Sequence, residues 1–305
     1  MIAIVFPGQG SQYLNMALDF KDNFKDAKDT FQQIEDETKI NITRIISDQN
    51  QNKLNQTKYT QIAIFTSSIA IFNVIIKQFS EYSTNIKTVL GHSLGEYSAL
   101  VANKVLDMND AANLIKIRGE LMQSAIKPNS SGMAAIIGKD ANYVQDIINN
   151  NNLNVSIAND NSPLQVVISG LLENIDKAEP AFISSGVRRF VKLNVSAAFH
   201  SKYMQDAEVK LNNEIDKIEF NKSNIPIISN YDAKINNEPE LIKLSLKKQM
   251  ANKVRWTESI KMLDRMHINK IIEIGPGKVL SGLISRISKK FDIISFDKIN
   301  DLDNI

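Results

Sequence analysis

Short runs of Ile, Val and Leu alternate along this chain with longer segments whose apolar residues recur at helical spacing. That alternation limits the fold more than any other feature. Strand-like runs fall at 2–6, 88–90, 225–228, 271–274 and 293–296. Helical patterns occupy 23–38, 59–79, 95–103, 110–125, 240–250, 257–266 and 279–288. Such an order predicts an α/β fold, a parallel sheet sheathed by helices. Parallel strands are buried on both faces, which is why these runs are nearly uniform in branched aliphatic residues.

The middle of the chain breaks the rhythm. A strand pattern at 133–137 is followed by a helix at 141–149, strands at 154–158 and 164–169, a helix at 172–184 and a strand at 189–195. The polar NDNSP at 159–163 reads as the turn between the two middle strands. The order β-α-β-β-α-β is the ferredoxin-like unit. KPNSS at 127–131 reads as a linker. The expected organisation is a large α/β domain over 1–127 and 197–305, with a small ferredoxin-like domain over 128–196 inserted into it.

Composition excludes several function classes. The 36 basic and 34 acidic residues leave a net charge of +2, no basis for a nucleic-acid partner. With no cysteine there is no disulfide, thiolate metal site or cysteine nucleophile, and three scattered histidines do not make a histidine-rich metal site. Residues 59–76 carry no charge, but Gln61, Thr66, Ser67, Ser68 and Asn73 interrupt the apolar run. Its period is that of a buried core helix rather than a membrane span. The opening MIAIVFPGQG has no basic n-region and reads as a first core strand, so the expected location is the cytoplasm.

The sequence GHSLG at 91–95 lies between a strand and a helix, the setting in which G-x-S-x-G marks a nucleophile on a sharp turn. Ser93 would stand at a helix N-terminus, where the N–H of Leu94 faces any developing oxyanion. A serine needs a base. His92 is adjacent, but successive side chains on such a segment point to opposite sides, so it is expected to pack beneath the turn. His267, in DRMHINK, reads as a surface or capping residue. His200 lies where the chain returns from the small domain beside the interdomain cleft, and it is the candidate base. FPGQGSQ at 6–12 matches no phosphate-loop pattern, yet it follows a strand at the edge of the sheet where ligands bind. Arg118 is surrounded by Ile115, Ile117, Leu121 and Met122; a buried arginine calls for an anion, and a substrate carboxylate is one candidate.

FPGQGSQ, TQIAIF, GHSLGEYSAL, IRGELMQSA, GMAAIIG, ANDNSPLQVVISG, AAFHS, KKQMANKVRWTESI and EIGPGKVLSGL occur in an order that resembles the malonyl-CoA:acyl carrier protein transacylases, from Ile2 to about Phe296. The resemblance implies a large hydrolase-like α/β domain with a ferredoxin-like insertion, Ser93 as the acylated nucleophile and His200 as its base, with Gln9 and the Leu94 N–H as the oxyanion hole. It implies Arg118 as the grip on the malonyl carboxylate and the Gln249 backbone carbonyl as the group that orients the histidine. Gln61, Met122, Asn159 and Val279 fall at pocket-lining positions. Leu94 and Phe199 resemble the malonyl-selective relatives. The implied partners are malonyl-CoA and acyl carrier protein, with no membrane or nucleic acid, no cofactor and no metal, and a monomeric state. Ile62 stands where relatives often have proline. The rival readings are a hydrolase with a third acidic member such as Asp140 or Asp146, a non-catalytic carrier-binding module, and the transferase of a malonate decarboxylase.

Overall fold

A computed structural model describes residues 1–79, 85–127, 129–195 and 197–304. Residues 128 and 196, where the sequence places the domain borders, lie outside the described residues. Among the described residues two sheets account for the strands. The first has the order β10-β9-β1-β2-β7-β8, formed by Asp292–Phe296, Lys270–Ile274, Ile2–Phe6, Ile86–Gly91, Ile227–Ile228 and Ile235–Asn236. Its first five strands run parallel, and the short β8 is antiparallel to β7. All five residues of β1 are buried, as a central parallel strand requires.

Helices cover both faces of this sheet. α1 (Leu18–Asn23), α2 (Lys25–Thr38) and α3 (Ile42–Ser47) lead to α4 (Thr57–Gln78). Further along come α5 (Gly95–Ala102) and α6 (Met108–Ser124). α4 is long and apolar enough to cross a membrane, but 83% of its most apolar window is buried within the protein. It forms part of one continuous core with β1, α5 and α6. α4 and α6 meet closely because α6 carries Gly119: a Cβ there would stand 2.8 Å from the Lys58 Cα.

The second sheet has the order β4-β5-β3-β6, all antiparallel, from Ser156–Ser162, Gln165–Leu171, Ser131–Ile137 and Arg189–Lys192. α7 (Ala141–Asn150) and α8 (Leu172–Ser184) pack on one face around Phe182 and Val144. This is the ferredoxin-like βαββαβ order.

Three expectations change. NDNSP is not a turn: 159–162 continue β4 and are buried, so the two strands are joined only at Pro163 and Leu164. The backbone of β4 pairs with 254, Asp160 N donating to Val254 O at 2.9 Å and Val254 N to Ala158 O at 2.9 Å. Its polar side chains also find partners across the gap, Thr257 for Asp160 and His92 for Asn161. Polar residues are buried there because they join the two sheets. The strand expected over 189–195 stops at Lys192, and Leu193 and Val195 turn into the cleft. α9 (Gln205–Ile215) has no counterpart in the sequence reading, because only Ala207, Leu211 and Ile215 of its length are buried. The remaining helices are α10 (Pro239–Lys247), α11 (Trp256–Arg265) and α12 (Val279–Ile287).

Gly119→Ala is expected to destabilise the protein. Overpacking costs about 1–3 kcal/mol, of which the better helix propensity of Ala returns about 1 kcal/mol. Urea unfolding measures it, and a variant more stable than the wild type would contradict the close approach.

Candidate active site

Three loops leave the carboxyl ends of β1, β2 and β9 on the same edge of the parallel sheet, where ligands bind in folds of this type. The loop after β1 carries Gly8 and Gln9, the turn after β2 carries Ser93, and the loop after β9 leads into Val279 and Leu280 of α12. Together with Met133, Ala135 and Val167 of the second sheet they line a cleft of about 210 Å³. Gln9, Gln61, Ser93, Leu94, Arg118, Met122, Asn159, Phe199, His200 and Val279 all border it. Gln249 lies behind this wall, 1% exposed.

The turn at Ser93 is set by its neighbours. Ser93 has φ of 53°, in the left-handed region. Gly91 and Gly95 cross so tightly that a Cβ on Gly91 would lie 2.0 Å from the Gly95 carbonyl carbon, and one on Gly95 would lie 2.2 Å from the Phe6 oxygen. Only glycine fits either place. Asn230 braces the turn from β7's side: its Oδ1 accepts from Ser93 N at 2.7 Å and its Nδ2 donates to Gly91 O at 2.6 Å. Among the described residues the backbone N–H groups of Gln9 and Leu94 have no protein acceptor, and both residues face the cleft. The Gln9 side chain lies 3.4 Å from Thr57 Oγ1.

Ser93 Oγ stands 2.8 Å from His200 Nε2. His200 Nδ1 is 3.1 Å from the Gln249 carbonyl oxygen, which can only accept, so Nδ1 carries the ring proton. Burial, with the Arg118 charge beside it, pushes the His200 pKa down to about 3. The imidazole is therefore neutral, with Nε2 bare and aimed at the serine proton. His200 also has a left-handed φ of 55°. His92 points the other way: Nε2 is 2.8 Å from Asn161 Oδ1 and the ring stands edge-on to Trp256 at 5.5 Å. His267 is exposed.

Arg118 is 0% exposed, yet among the described residues no carboxylate forms an ion pair with it. Its amino groups donate to Gln61 Oε1 at 2.7 Å, to Gln249 Oε1 at 2.9 Å and to Ser93 Oγ at 3.0 Å. The guanidinium carbon lies 5.5 Å from the Tyr97 ring centroid. Neutral acceptors thus aim a buried cation at the serine hydroxyl.

Asp140 and Asp146 do not approach His200. Asp140 caps α7 through Tyr143 N at 2.9 Å, and Asp146 is exposed. Sequence reasoning missed Asn230 and Glu96. Asn230 has no local signal. Glu96 has one, the single charge of α5. Among the described residues no group of three His, Asp or Glu side chains could hold a metal ion.

A serine on a strand-to-helix turn, a neutral histidine held by a carbonyl, and free N–H groups beside them form an acyl-transfer site. The chain belongs to the acyl transferase family, whose domain matches residues 3–295. It is 36% identical over 297 residues to the malonyl CoA-acyl carrier protein transacylase of Bacillus subtilis, covering 96% of this chain and 92% of the relative. The Escherichia coli K12 protein of the same name is 36% identical over 287 residues, covering 93% and 92%. The structure of an acyl carrier protein S-malonyltransferase from Vibrio cholerae superposes with a TM-score of 0.93 at 35% identity, covering 99% of both chains. A type II polyketide synthase acyl-carrier protein in complex with its malonyl-transacylase contains a chain that matches with a TM-score of 0.92 at 34% identity, covering 99% of this chain and 98% of that one.

The unfolded histidine binds its proton near pH 6.5 and the folded one near pH 3. Between those values the unfolded chain holds more protons, so this group withdraws stability as the pH falls. The same shift places the acid limb of kcat/KM for acylation well below pH 6.5. A limb centred at the ordinary histidine value would contradict a buried, neutral base.

Proposed function

We propose that this enzyme transfers the malonyl group from malonyl-CoA to the phosphopantetheine thiol of acyl carrier protein through a malonyl-serine intermediate, in fatty acid synthesis. The observation that carries this reading is Arg118: a buried guanidinium directed at Ser93 Oγ with no carboxylate paired to it among the described residues. An acyl group with a free carboxylate completes it, and bidentate pairing suits the planar fork.

His200 Nε2 takes the Ser93 proton as Oγ attacks the thioester carbonyl. The tetrahedral oxyanion is held by the N–H groups of Gln9 and Leu94, a pair in which one donor is typically worth ~2.7–4 kcal/mol. The C–S bond then breaks, the coenzyme A thiolate leaves, and it takes the proton from His200. The carrier thiol enters, gives its proton to His200 and attacks the malonyl ester. As this second intermediate collapses, His200 returns the proton to Ser93 and malonyl-carrier departs. Each step uses groups of this chain, and coenzyme A acts as substrate rather than resident cofactor. The Gln249 carbonyl orients the base, so the pair works as a dyad version of the triad logic. Gln61, Met122, Asn159 and Val279 shape the acyl and thiol paths. Exposed Arg188 and Arg189, with Lys139 and Arg286, border a cleft adjoining the site, a setting that suits the anionic groups of both substrates. We take 128–196 as the inserted small domain, and the cytoplasm as the location.

Brief exposure to malonyl-CoA is expected to add one malonyl group to Ser93 by intact mass, and a holo-carrier then to receive it faster than water does. An adduct that survives Ser93→Ala, or predominant release of malonate, would overturn the assignment. Arg118→Ala is expected to lower malonyl transfer at least tenfold, about the loss of one charged hydrogen-bond pair, while sparing acetyl transfer. Equal losses for both acyl groups would remove the carboxylate role.

A further inference from the structure

Glu96 takes no part in the proton and acyl steps, yet it lies at their structural root. It is 1% exposed, on the inner face of α5. Its Oε2 accepts from Gln249 Nε2 at 2.6 Å and from Asn230 N at 3.3 Å. These two residues hold the site from opposite sides. Asn230 braces the Ser93 turn, and Gln249 presents its Oε1 to Arg118 at 2.9 Å. Gln249 Nε2 has one other acceptor, the Ser93 carbonyl at 2.8 Å.

A primary amide has two unlike ends. With Nε2 committed to Glu96 and to Ser93 O, the oxygen of Gln249 must face Arg118. Released from Glu96, the Gln249 side chain keeps a single backbone tie on that side. Arg118 then loses the fixed acceptor that directs its NH2 to the Ser93 hydroxyl. Among the described residues Glu96 forms no hydrogen bond or ion pair with Arg118; its charge reaches the guanidinium through space, while its directional hold on it passes through Gln249.

Resting on the malonyl-transfer reading, we infer that Glu96 is a positioning residue for acyl specificity: as a buried acceptor for both Gln249 and Asn230, it sets the direction in which Arg118 meets the acyl carboxylate. The property needed is an acceptor oxygen of the right reach, and not the charge. Burial pushes the Glu96 pKa up to about 7, so ionised and neutral forms coexist near neutrality, and both keep an acceptor at Oε2.

Three variants separate reach from charge and from packing. Glu96→Gln keeps the length and an acceptor oxygen. Glu96→Asp keeps the charge but is one methylene short. Glu96→Leu fills the space without an acceptor. For each, kcat and KM are measured with malonyl-CoA and acetyl-CoA in the acylation half-reaction, together with the unfolding midpoint. Glu96→Gln is expected to retain the wild-type malonyl-to-acetyl ratio of kcat/KM. Glu96→Asp and Glu96→Leu are expected to lower that ratio about tenfold, through a raised malonyl KM. The inference is overturned if Asp keeps the ratio and Gln loses it, which would make charge the operative property. It is equally overturned if the folded variants lose both acyl groups in parallel, which would make the role one of general packing. Should Glu96→Leu fail to fold, the Gln and Asp pair decides alone. If the wild type itself forms no malonyl-serine, the reading of the site fails, a result distinct from any pattern among the variants.

Discussion

One glutamine holds the site together. The Gln249 carbonyl fixes the tautomer of His200, its side-chain oxygen receives Arg118, and its amide nitrogen reaches both the Ser93 carbonyl and Glu96. Nucleophile, base and carboxylate grip are therefore referred to the same residue, which lies on the segment between α10 and α11. That segment is itself tied to the second sheet, since 254 pairs with β4. The relative placement of the reacting groups thus depends on contacts made outside the cleft, by groups that touch no substrate.

The join between the two sheets is polar where a sequence reader expects a loop. Asp160 and Asn161 are buried, and each spends its side chain on the opposite half of the molecule, Asp160 on Thr257 and Asn161 on His92. Directional bonds of this kind fix register in a way apolar contact does not. His92 is part of that join, so the residue next to the nucleophile acts as a fastening for the cleft rather than as a base.

The parallel sheet was legible because buried strands must be apolar on both faces and the helices between them are periodic. Ser93 and Arg118 were legible for local reasons, a glycine-flanked turn after a strand and a cation among isoleucines. His200 could be singled out by its place in the chain, since the reading of an inserted unit put it at the return to the large sheet. NDNSP misled because turn propensity is a local quantity, whereas the partners that bury Asp160 and Asn161 lie 97 residues on, at Thr257, and 69 back, at His92. α9 escaped because only three of its residues face the core. Asn230 was invisible for the same reason as Gln249 Nε2: their roles are set by hydrogen bonds across the sheet, which leave no period in the sequence.

Ser93 and His200 share a feature with a consequence for the whole molecule: both lie on left-handed backbone, a conformation that costs a non-glycine residue about 1–3 kcal/mol. The flanking glycines and Asn230 hold the turn at Ser93, and the Gln249 carbonyl holds the His200 ring. The two reacting residues thus carry backbone strain inside a buried part of the chain, held there by their surroundings. Any change that loosens the crossing glycines or Asn230 therefore releases that strain at the reacting serine itself, so aim and backbone conformation are lost together.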